Sequence, residues 1–63
     1  MMEYIVSDLR GFSHPVMSSS QFQEFIDRNG YTVSSNCENG RYRIYRRVGD
    51  GVANHVYYVE MSE

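Results

Sequence analysis

The hydrophobic pattern of this chain changes period once, at Asn29-Gly30, and that switch limits the available folds more than any other feature. Upstream of it, Phe22, Phe25 and Ile26 recur at i, i+3 and i+4, while Gln23, Glu24, Asp27 and Arg28 take the opposite side, the spacing of an amphipathic helix. Ser18 with Gln21 three residues on forms a capping box, and Met17 and Phe22 flank it as a hydrophobic staple. Gly30 supplies the left-handed exit that helices favour. Together these signals predict a helix over 19–29. Downstream the period is two, which predicts strands over 31–37, 41–48 and 52–61. Asn39-Gly40 is the first hairpin turn and Gly49-Asp50-Gly51 the second. The apolar run Tyr4-Ile5-Val6 adds a strand over 2–7. Residues 7–17 contain Gly11 and Pro15 and read as a loop, with some of Leu9, Phe12, Val16 and Met17 expected to lid the core.

The expected fold is α+β, a single domain over 1–63 ordered β-α-β-β-β. It is a two-layer sandwich with one helix packed on one face of a mostly antiparallel four-stranded sheet. A crossover through the helix makes the first strand parallel to the second if both share the sheet. The first strand can lie beside strand two or strand four.

Two-residue turns at both hairpins set a trial register, and a one-residue slip would flip every side chain. In that register Cys37 opposes Tyr42, Ser35 opposes Ile44, Val33 opposes Arg46 and Tyr31 opposes Val48. On the last strand, Val48 opposes Ala53, Arg46 opposes His55, Ile44 opposes Tyr57 and Tyr42 opposes Val59. The helix-facing side is then Tyr31, Val33, Ser35, Cys37, Tyr42, Ile44, Val48, Ala53, Tyr57, Val59 and Met61. The other side carries Thr32, Ser34, Asn36, Glu38, Arg41, Arg43, Tyr45, Arg47, Asn54, Val56, Tyr58 and Glu60. Arg46 is the misfit, since burying an unpaired guanidinium is costly. It is expected beyond the end of the helix, or as part of a β-bulge at Arg46-Arg47.

Size and composition narrow the function. A chain of 63 residues and 7.4 kDa leaves little room for a deep enzymatic cleft beside its own core. One cysteine makes no internal disulfide and no structural zinc site, which points to a reducing, cytoplasmic setting. No apolar run reaches membrane-spanning length, and Glu3 and Asp8 do not suit a signal peptide, so no membrane partner is expected. No cofactor, metal or catalytic set is expected either. Cys37 reads as a small buried hydrophobe and His14-Pro15 as a turn element. His55 beside Arg46 is the weak candidate for a ribonuclease-like base.

All six basic residues are arginines, and Arg41, Arg43, Arg46 and Arg47 fall within seven positions alongside Tyr42 and Tyr45. Gly30-Tyr31 and the run Gly40-Arg41-Tyr42-Arg43-Ile44-Tyr45-Arg46 resemble the HicA-type mRNA interferases over less than half of the chain. Tyr42 stands where that family has its catalytic histidine, so the resemblance implies no nuclease role. The candidate contact residues are Arg41, Arg43, Tyr45, Arg47 and Tyr58, on the sheet face away from the helix. Arg and Tyr are the side chains enriched at interface hot spots. They suggest a non-enzymatic protein-binding module, such as an inhibitor, modulator or virus- or plasmid-borne accessory protein, or a homodimer packing face to face. The alternative is a single-stranded nucleic-acid binder that stacks bases on the same face. The net charge of −2 weighs against that alternative, because phosphate neutralisation drives such binding.

Overall fold

A computed structural model describes all 63 residues. The elements are β1 (Glu3–Asp8), α1 (Ser19–Asn29), β2 (Tyr31–Glu38), β3 (Arg41–Gly49) and β4 (Val52–Ser62). The helix begins and ends where its caps predict. The Gln21 amide donates to Ser18 Oγ at 3.3 Å, and the Ser18 amide donates to Gln21 Oε1 at 2.8 Å. Gly30 adopts φ 65°, and its N–H returns to the Ile26 and Asp27 carbonyls. The first hairpin turns through Asn39 (φ 54°) and Gly40 (φ 79°), the doubly left-handed turn that matches strand twist.

The four strands form one antiparallel sheet in the order β1-β4-β3-β2. The first strand therefore lies beside the last, and β1 runs antiparallel to β2 rather than parallel to it. The cause is in residues 9–17. Asp8 Oδ1 accepts the Arg10 and Phe12 amides and turns the chain. Residues 12–17 then run back along the outer edge of β1, bridging Ser7 to Ser13 and Tyr4 to Met17. This returning segment, not β1, feeds the helix, and it is the segment that lies parallel to β2. Met17 packs on the core, whereas Leu9, Phe12 and Val16 remain exposed rather than lidding it.

The core is small: Val6, Phe22, Ile26, Ile44 and Val59, with no buried polar residue. Tyr4 stacks on Phe22 at 4.6 Å between ring centroids. Farther along, Phe25, Tyr31, Tyr57 and His14 form an edge-to-face group with centroids 5.3–5.8 Å apart. Burial first, and neighbouring Tyr57 second, push the Tyr31 hydroxyl above its usual range, with Arg46 pulling it back.

Three irregularities revise the trial register. Val33 pairs with Ile44 and Cys37 with Tyr42, so Ser34, Ser35 and Asn36 together span the one β3 residue Arg43. Two extra residues preserve parity, and Tyr31 and Val33 still face the helix side, now opposite Arg46 and Ile44. On β4 the extra residue is Val56, because Ile44 pairs with Tyr57 but Tyr45 with His55. Val48 is the extra residue of β3, between the pairs Arg47–Ala53 and Gly49–Val52. As a result Val56 packs against the core, His55 joins the open face and Val48 is exposed. Arg46 is exposed at the end of the sheet beside Tyr31. Cys37 is exposed rather than buried, because it sits next to the hairpin turn on a strand with no outer neighbour.

Candidate partner-binding face

The open face is organised by β3, whose alternation places Arg41, Arg43, Tyr45 and Arg47 on one side, with Tyr58 of β4 directly across from Arg43. The five candidate residues thus share one surface. The Val56 bulge adds His55, which alternation alone had placed on the helix side. The Arg41 guanidinium lies 4.0 Å from the centre of the Tyr58 ring, a cation–π contact worth about 0.5–1 kcal/mol at an exposed site. Tyr58 meets His55 edge-on at 4.5 Å, and His55 is 5.6 Å from Tyr45. The result is a row Arg41–Tyr58–His55–Tyr45 crossing the sheet obliquely.

His55 Nε2 lies 2.9 Å from the Tyr57 carbonyl oxygen. A carbonyl only accepts, so Nε2 carries the hydrogen and the neutral ring keeps Nδ1 as its acceptor. Cys37 lies on the opposite side of the sheet, which separates it from His55. His14, locked into the aromatic group by Phe25 and Tyr57, is likewise on the helix side.

Charge on this face is largely neutralised from within. Arg43 pairs with Glu38 at 2.8 Å, and Arg47 reaches Asp50 at 3.3 Å. Side-chain hydrogen bonding toward Tyr45 first, and the Glu38 carboxylate second, raise the Arg43 guanidinium above its usual value, so it stays charged at any working pH. Its Nε is enclosed without a partner. Its backbone N–H, which the β2 bulge leaves without a ladder partner, donates to Ser34 Oγ at 3.2 Å. The third ion pair, Arg28–Glu24, is on the helix. Arg41 takes part in none.

At the far end of the face Thr32, Tyr45, Arg47, Gly51, Val52 and Ala53 line a shallow groove of about 510 Å³. Ala53 reaches it because the Val48 bulge sets it opposite Arg47. A bulge within a run such as Val56-Tyr57-Tyr58 leaves no mark in the alternation, so neither His55 nor Ala53 could be assigned to this face from the sequence.

No group of three His, Cys, Asp or Glu side chains converges to hold a metal ion, and no helix is long and apolar enough to cross a membrane. Comparison with family models, curated proteins and solved structures finds no match for this chain. That includes the interferase family its middle segment resembles, and Tyr42, at the position of that family's histidine, packs against the core on the helix side.

Proposed function

We propose that this chain is a small non-enzymatic protein-binding module, an inhibitor, modulator or accessory protein that works in the cytoplasm through its open sheet face. One observation carries the reading: two of the three arginines of that face, Arg43 and Arg47, are paired with the chain's own acids, Glu38 and Asp50, while the surface between them is aromatic. A strip evolved to neutralise phosphates would keep its cations free. Aromatic rings set among paired charges suit a protein surface, where Tyr and Arg supply contact area with little ordering cost. The stack of Arg41 on Tyr58 is the one feature that favours the second reading, a single-stranded nucleic-acid site.

Affinity capture from a host lysate, with proteins read by mass spectrometry and nucleic acid by staining, separates the two. The expected result is a stoichiometric protein partner lost in Tyr45→Ala and Tyr58→Ala. Sedimentation of the isolated chain identifies the case in which the partner is a second copy. Capture of nucleic acid alone, weakening steeply with salt, would replace this reading by the second.

A further inference from the structure

Resting on the protein-binding reading, we infer that the partner presents an extended segment with an Asp or Glu side chain about four residues from a bulky apolar one. The acid seats on Arg41 and the apolar group fills the groove at Tyr45 and Ala53. The face carries three arginines, Arg41, Arg43 and Arg47. The forks of Arg43 and Arg47 are occupied by Glu38 and Asp50. Arg41 has Glu38 as its β2 partner across the ladder, yet it pairs with neither Glu38 nor Glu60. It lies on Tyr58 instead.

A guanidinium held over a ring and engaged by no carboxylate still has its N–H groups to offer, and their fork matches a carboxylate bidentately. The stack also holds the side chain in place, so less freedom is lost when the carboxylate arrives. The groove supplies the second anchor. It is lined by Thr32, Tyr45, Gly51, Val52, Ala53 and Arg47, whose charge Asp50 already answers. Arg41 and Tyr45 are four residues apart on one strand, about 13 Å at roughly 3.3 Å per residue. An extended segment laid along β3 spans that distance in about four residues of its own.

Random linear peptides displayed against the 63-residue chain, followed by anisotropy titration of the enriched sequences, test this directly. Enriched peptides are expected to carry Asp or Glu about four positions from Leu, Phe, Tyr or Trp. Their binding should weaken about tenfold or more in Arg41→Gln and in Ala53→Arg, which fills the groove, and stay unchanged in Arg28→Gln on the helix. Arg41→Lys should recover only a minor part, since an ammonium lacks the fork. Circular dichroism of each variant verifies that it folds. Enrichment of acid-free peptides that depend on Tyr45 and Tyr58 would overturn this inference and leave the protein-binding face standing. Peptides indifferent to every variant of the face would overturn both. Failure of the library to yield any binder, or displacement of acidic peptides by single-stranded oligonucleotides with higher affinity, would also overturn it.

Discussion

Both sides of this sheet carry tyrosines, but they are held by different physics. On the helix side Tyr4, Tyr31 and Tyr57 are half-buried and packed ring to ring, and the five buried residues are all apolar. On the open side Tyr45 and Tyr58 hold a histidine and an arginine at the surface, and the charges balance one another locally. Helix-side contacts gain their energy from leaving water, whereas the open-side contacts are part-exposed ion pairs and ring contacts worth less to folding. Stability is thereby assigned to the helix side and the proposed recognition to the open side, and substitutions should separate them.

The sharpest test of that division is Ile44→Ala. Ile44 is fully buried at the centre of the core, and its truncation should cost about 2–5 kcal/mol. In a domain this small that is a large share of the total, so urea titration should show a strongly lowered midpoint or a chain unfolded at 25 °C. A midpoint shift below about 1 kcal/mol would mean that the helix side is not where the energy lies.

Ser18→Ala removes the hydroxyl that accepts the Gln21 amide and should cost about 1 kcal/mol, measured in the same titration. Tyr58→Ala should cost less than about 1 kcal/mol, mainly the Arg41 contact, while abolishing partner capture. Arg47→Gln breaks an exposed pair and should change stability by no more than about 0.5 kcal/mol. A loss from either open-face variant comparable to that of Ile44→Ala would erase the contrast between the sides.

The smallest effect is alkaline. The folded state raises the Tyr31 hydroxyl above its unfolded value, so folding favours the neutral phenol. Its contribution is complete below about pH 10 and is lost as the pH rises through the folded value, because the unfolded chain ionises first. Stability against pH should therefore fall in this range for the parent chain and fall less for Tyr31→Phe.

What could be read from the sequence follows the range of the interactions involved. The helix is specified within the segment from Ser18 to Gly30 by Ser18, Gln21 and Gly30, and each does what its type implies. The turn at Asn39-Gly40 is equally local. The α+β class and the choice of β3 as the arginine-bearing strand follow from alternation. The bulges do not. Ser34-Ser35-Asn36 is uniformly polar and Val56-Tyr57-Tyr58 uniformly apolar, so either run accepts a slip without breaking the pattern, and the energy that selects the slip is tertiary. The place of β1 was hidden for a similar reason. It depends on two bridges made by a loop with no periodicity of its own.

That loop carries a consequence for assembly. Because residues 12–17 occupy the outer side of β1, the sheet has one unpaired margin, along β2, and half of that strand is distorted by its bulge. A sheet with two open margins can add neighbour after neighbour and grow into a fibre. A sheet with one can be extended once, after which the added strand's partner surface is used up. Margin-to-margin association through β2 would therefore close at two copies, and the segment that reverses the chain ahead of the helix is also the one that covers the other margin.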